Sequence, residues 1–194
     1  MKKVFYSLLM VAAVVWGFWF AGQSYKKTHF TGGELELYGA LQTACAGGVE
    51  ARFEKVLELQ EGSLTLAEGR PEDWSAFVTV FGESKLVERT GQSRPIHTAE
   101  RYYVTLSGTD GAGQSWAGQM KLYADELMDI QLTLTGPGGD TREYAARYEL
   151  EETDLPQVLE GLMEPVPGAP EGPFTLTKKG EVTDGNRNVV QLGK

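Results

Sequence analysis

Tyr102-Tyr-Val-Thr-Leu-Ser-Gly-Thr-Asp-Gly-Ala-Gly-Gln-Ser-Trp-Ala-Gly-Gln-Met-Lys-Leu122, followed by Met128-Asp-Ile-Gln-Leu-Thr-Leu134, is the stretch that decides the architecture. Apolar positions alternate: Tyr102, Val104 and Leu106; then Trp116, Gly118, Met120 and Leu122; then Met128, Ile130, Leu132 and Leu134. A period of two marks strands with one buried face. Tyr144, Ala146, Tyr148 and Leu150 supply a fourth such strand. Residues 108–113 and Gly136-Pro-Gly-Gly-Asp140 are turn-forming. Four strands joined by short turns predict an antiparallel meander.

Upstream, Val49, Ala51, Phe53, Leu57 and Leu59 continue the alternation, interrupted by Lys55 on the apolar side and Val56 on the other. Before that strand, Thr31-Gly-Gly-Glu34 reads as a capping box. It opens a helix carrying Leu37, Leu41, Ala44 and Cys45 at helical spacing, stopped by Gly47-Gly48. Pro71, with Glu72 and Asp73 behind it, opens a second helix whose one face holds Trp74, Phe77, Val78 and Phe81. Asp154 and Pro156 start a third, with Leu155, Val158, Leu159 and Leu162 on its apolar side. Each strand has one apolar face and each helix one apolar stripe, so the two bury each other. The expected fold is therefore α+β: an N-terminal transmembrane helix, then an antiparallel sheet of about five to six strands with about three helices on one face. Phe53, Phe77, Trp116 and Leu132 belong to its core, beneath the helices of Leu41, Phe77 and Leu159.

Residues 4–22 carry no charge and span nearly 30 Å at about 1.5 Å rise per residue, close to the hydrocarbon thickness of a bilayer. A signal-peptide core is shorter, about 7–15 residues. Phe5 and Tyr6 sit near one end, and Trp16, Phe18, Trp19 and Phe20 crowd the other, as interfacial aromatics do. Small residues suited to cleavage occur only at Gly22-Gln23-Ser24. The expectation is a retained single-span anchor, with a cleaved signal and a secreted body as the alternative. The amino terminus, Lys2 and Lys3 outweigh Lys26 and Lys27, which puts the body outside the cytoplasm. The chain thus divides into an anchor or signal segment (1–22), a juxtamembrane linker (23–33), a globular domain (34–164), a Pro/Gly spacer (165–173) and a C-terminal strand or hairpin (174–194) turning at Asp184-Gly185.

The 194 residues include 27 acidic and 18 basic ones, and only two lysines fall in the first 22. The remainder, 16 basic against 27 acidic, is formally −11. Such a charge repels nucleic-acid phosphate and anionic lipid. Cys45 is the single cysteine, so no internal disulfide exists. Of the two histidines, His29 lies beside the expected membrane segment and His97 follows Pro95 in a polar stretch. Ser115 sits in a strand, without the spacing of a nucleophile elbow. No zinc or phosphate-loop pattern occurs. Asp110 and Asp140 read as turn aspartates rather than calcium ligands. Glu34, Glu36, Glu50, Glu54, Glu58 and Glu61 mostly read as solvent-facing, Cys45 as a small buried hydrophobe, and Trp74, Phe77, Phe81 and Trp116 as core. The sequence assigns no catalytic, cofactor-binding or metal residue.

The order of elements resembles the YwmB family of Gram-positive spore-forming bacteria. The likeness rests on the apolar N-terminal segment, the helix ending Cys45-Ala-Gly-Gly48, and the alternating strand at 49–59. It continues through the helix at 71–81, the run Tyr103-Val-Thr-Leu-Ser-Gly-Thr-Asp-Gly111 and the helix after Asp154. It implies a fold like that of the TATA-box-binding protein, a curved antiparallel sheet with helices on one face, and brings no catalytic residue with it. After Val182 the long closing helical segment of that pattern is missing. The reading is a membrane-tethered, extracytoplasmic, non-enzymatic domain that binds an envelope protein or cell-wall component, touches the membrane through 4–22 and binds no nucleic acid. The alternative is an envelope hydrolase using a carboxylate pair.

Overall fold

The computed structural model describes residues 14–17, 29–88, 98–124, 127–177, 181–186 and 188–191. The expected anchor lies almost wholly outside these residues; within it, 14–17 are helical and exposed. No helix among the described residues is long and apolar enough to cross a membrane.

Nine strands form one antiparallel sheet, where the sequence predicts five or six. They are β1 (His29–Thr31), β2 (Glu50–Leu59), β3 (Gly62–Gly69), β4 (Lys85–Glu88), β5 (Glu100–Thr109), β6 (Ser115–Tyr123), β7 (Leu127–Thr135), β8 (Thr141–Glu152) and β9 (Glu164–Pro165). Across the sheet their order is β1-β4-β8-β7-β6-β5-β2-β3-β9. The meander β5 to β8 is the one its alternation predicts. The additional strands are β3, which folds back on β2, and the short pieces β1, β4 and β9, which tertiary pairing sets. His29–Thr31, which the sequence puts in a linker, pairs with β4, and Pro165 of the expected spacer pairs with Ala67.

Three helices join these strands: α1 (Glu36–Ala46), α2 (Ser75–Glu83) and α3 (Leu155–Gly161). The Thr31–Glu34 capping box forms, with the Thr31 amide donating to Glu34 Oε2 at 2.7 Å, but it opens a three-residue 3-10 turn rather than α1. Helix α2 begins later than Pro71 suggests: its N-cap is Trp74, and just before it Asp73 Oδ1 accepts the Ser75 amide at 2.8 Å in a local turn. Leu37, Leu41 and Ala44 of α1, Phe77, Val78 and Phe81 of α2, and Leu155 and Leu159 of α3 join Phe53, Val104, Trp116, Met120 and Leu132 in one core. Phe77 stands edge-on to Phe53 at 5.8 Å, and the Trp74 indole donates to Val49 O at 3.1 Å. A second cluster unites Leu57, Leu66 and Ala99 with Val182 and Phe174 of the C-terminal segment. That segment makes a two-stranded sheet of β10 (Thr175–Leu176) and β11 (Val182–Thr183). The chain then turns at Asp184, whose amide donates to Asn188 O at 3.0 Å.

Candidate binding face

Side chains alternate across a strand, so each residue between the core positions projects to the opposite side of the sheet. No described helix covers that side. Pairing aligns one row across seven strands: Glu164, Glu68, Glu54, Tyr103, Lys121, Asp129 and Arg147. Beside it lie Arg52, Thr105, Gln119 and Gln131, with both glutamines exposed. The face is polar, and rigid strands hold its groups.

Its charges are knitted together. Lys121 Nζ donates to Glu58 Oε1 at 2.7 Å, the Tyr103 hydroxyl donates to the same oxygen at 2.9 Å, and Lys121 lies 5.2 Å above the Tyr103 ring. Arg101 stacks on Tyr123 at 4.7 Å from the ring centre and donates through Nη1 to the carbonyls of Thr98 and Glu100. Its Nε is buried without a hydrogen-bond partner, 3.5 Å from Glu58 Oε2. Asp129 accepts from Arg147 Nη2 at 2.7 Å and from the Tyr123 hydroxyl at 2.9 Å.

These partners decide the titrations. Burial works against ionised Glu58, yet the hydrogen bonds from Lys121 and Tyr103 outweigh it and hold the carboxyl below its usual range. Asp129 behaves the same way under Arg147 and Tyr123. Burial opposes the charge on Lys121 too, and Glu58 nevertheless raises its pKa. On the helix-covered side, Lys55 sits between Glu160 Oε1 at 2.7 Å and Glu100 Oε1 at 3.3 Å, while the Tyr102 hydroxyl donates to Glu160 at 2.8 Å. Burial, followed by that bond to Glu160, pushes Tyr102 up to about 12.

The residues weighed from sequence are scattered. His29 lies on β1, 3.6 Å from Glu151, and His97 falls outside the described residues. Ser115 is exposed at the start of β6. Cys45 is half-buried on α1, and burial raises its thiol pKa. Asp110 is fully engaged in its turn: Oδ1 accepts the Ala112 and Gln114 amides at 2.9 Å each, and Oδ2 the Trp116 indole at 3.1 Å. Glu36 pairs with Arg142, and Glu54 with Arg52. The described residues contain no cluster of His, Cys, Asp or Glu fit for a metal ion. Arg101, Lys121 and Arg147 were not singled out from the sequence; their alternate placement in strands was the available signal.

Two grooves flank Arg52. One, of about 650 Å³, runs along the start of β2 beneath the loop at 70–72. The other, of about 400 Å³, lies between β3 and β9 and is lined by both Glu68 and Glu164. Compared with known proteins, the chain matches no protein-family model, no curated protein and no solved structure.

Proposed function

We propose that this chain is a binding domain of the cell envelope, held at the membrane by residues 4–22 with its body outside the cytoplasm. Its working surface is the polar sheet face of Tyr103, Lys121, Asp129 and Arg147. The chain resembles the YwmB family, whose function is unknown, in the apolar N-terminal segment and the order of elements behind it. One observation carries the reading. The charged groups of this face hold one another, Glu58 with Lys121 and Tyr103 and Asp129 with Arg147 and Tyr123, and among the described residues each displaced pKa there moves away from neutrality. General acid–base catalysis favours groups tuned towards the working pH. Fixed charges on rigid strands suit recognition instead.

A photo-cross-linking residue at Gln119 or Gln131, compared with one at exposed Gln42 on α1, tests this in intact cells. The expected result is a discrete adduct from the sheet positions only, in the membrane fraction. Adducts from Gln42 alone, or a truncated body free in the medium, would overturn it.

The hydrolase reading has one observation in its favour. Glu68 stands opposite Glu164 in register, and both line the smaller groove. A catalytic acid of this kind gains its proton at neutral pH through burial, whereas the Glu68 side chain is 58% exposed. Glycan cleavage by the purified chain that disappears in both Glu68→Gln and Glu164→Gln would establish this reading in place of the first.

A further inference from the structure

The larger groove has a wall of mixed charge whose arginines are incompletely used. Arg52 lies opposite Thr105, and Glu50 opposite Ser107, so two cross-strand pairs present a guanidinium, a carboxylate and two hydroxyls side by side. Arg70 and Glu72 close the groove from the loop above. That loop is set by Gly69, where a Cβ would stand 2.0 Å from the carbonyl oxygen of Leu162; only glycine lets the end of β3 approach so closely. Arg52 reaches its carboxylates through Nη2 alone, Glu54 Oε1 at 2.8 Å and Glu68 Oε2 at 3.5 Å. Its Nη1 has no partner among the described residues. Arg70 likewise makes no ion pair among them.

We propose that this groove binds a short zwitterionic peptide. Its volume of about 650 Å³ lies within the range of small-molecule sites. A planar carboxylate fits the fork of a guanidinium; Arg70 supplies such a fork, and Arg52, whose Nη2 is held by Glu54 and Glu68, adds the donors of Nη1 beside it. Glu50 and Glu72 set the other half of the ligand. They repel a phosphate dianion but attract an ammonium carried by the same molecule. Thr105 and Ser107 offer hydroxyls to the peptide amides between the two ends. This site does not depend on where the protein resides.

The test is a titration of the ¹⁵N-labelled full chain in detergent micelles with triglycine, followed by NMR. N-acetyl-triglycine, triglycine amide and inorganic phosphate serve as comparisons. Triglycine is expected to move the Thr105 and Ser107 amides saturably. Blocking either terminus, or the substitution Arg70→Gln, is expected to weaken binding about tenfold or more, the worth of one charge-assisted hydrogen bond. Arg142→Gln, on the far side of the sheet, leaves it unchanged. The proposal is overturned if triglycine gives no saturable shift, if Arg70→Gln binds as the parent does, or if either blocked peptide or phosphate binds equally well. The same spectra report whether each variant is folded. A chain that binds triglycine but cross-links to nothing keeps the groove and loses the envelope reading; the converse outcome does the reverse.

Discussion

Replacing Asp110 by alanine removes the acceptor for three donors in the β5–β6 turn at once. The donors do not suffer equally. Ala112 is exposed and Gln114 half-buried, so their amides regain water, at a net cost of about 1 kcal/mol each. Trp116 is 2% exposed, and its indole N–H has nowhere to turn. An unsatisfied buried donor costs about 1–3 kcal/mol. Together the loss comes to about 3–5 kcal/mol, a large share of the 5–15 kcal/mol, roughly, that holds a domain folded. Asp110→Asn keeps the Oδ1 position for both amides but sets an amide N–H₂ against the indole, for a loss of about 1–2 kcal/mol. Adding Trp116→Phe to Asp110→Asn removes that opposed donor, so the two changes together cost less than their sum. Urea denaturation of the full chain in mild detergent reads the parent, the three single variants and the double. A loss below about 1 kcal/mol for Asp110→Ala refutes the reasoning, because an idle carboxylate at this position costs nothing to remove. So does a midpoint raised by calcium, since a cation at Asp110 would have to displace these protein donors.

Phe77→Ala should cost about 3–5 kcal/mol in the same assay, since the ring is buried between Phe53 and Phe81. Gly118→Ala should cost about 3 kcal/mol or more, or abolish folding. With φ at +137°, its Cβ would stand 2.2 Å from Gln131 O, as loss of NMR dispersion would report. Glu58, Asp129 and Glu160 have folded pKa values below their ordinary ones. Their stabilisation is therefore present at neutral pH and lost as the pH falls through the carboxylate range, and Lys121→Met should flatten the acid limb of a stability–pH curve. Tyr102 has the opposite sign. Its folded value of about 12 lies above the ordinary value of about 10, so its contribution holds below pH 10 and fades towards pH 12. Absorbance titration of Tyr102→Phe should lack that late-titrating phenol.

The strands of the meander were legible because Tyr102 to Leu106, Trp116 to Leu122 and Met128 to Leu134 repeat with period two and bury one face. Strand β3 was not, because only Leu64 and Leu66 mark its apolar side and its register with β2 shifts between Lys55 and Val56. Strand β4 buries Leu86 and Val87 on opposite sides, and β1 and β9 are too short for any pattern. Pro71 and Glu72 read as a helix start, yet they line a groove instead, since the Asp73–Ser75 turn precedes the helix and Trp74 is its N-cap. The polar sheet face was written in the sequence only as spacing. Glu58 reads as one solvent-facing acid among many until the fold brings Lys121 to it from 63 residues away. Lys55 and Val56, the two breaks in the β2 alternation, are the exception. The first anchors α3 through Glu160, and the second is buried on the polar side beside Arg101.

The row from Glu164 to Arg147 crosses seven strands. Neighbouring strands stand about 4.8 Å apart, so the row is about 30 Å long. Each strand is also rotated by about 20° from the last. Over six steps that turns the two ends of the row about 120° away from each other. Glu164 and Arg147 therefore look in different directions, and a flat body such as a bilayer or a broad protein surface can engage only two or three strands of the row at once. A ligand that uses the whole of it must be narrow and must follow the twist, as an extended polymer chain laid across the strands would.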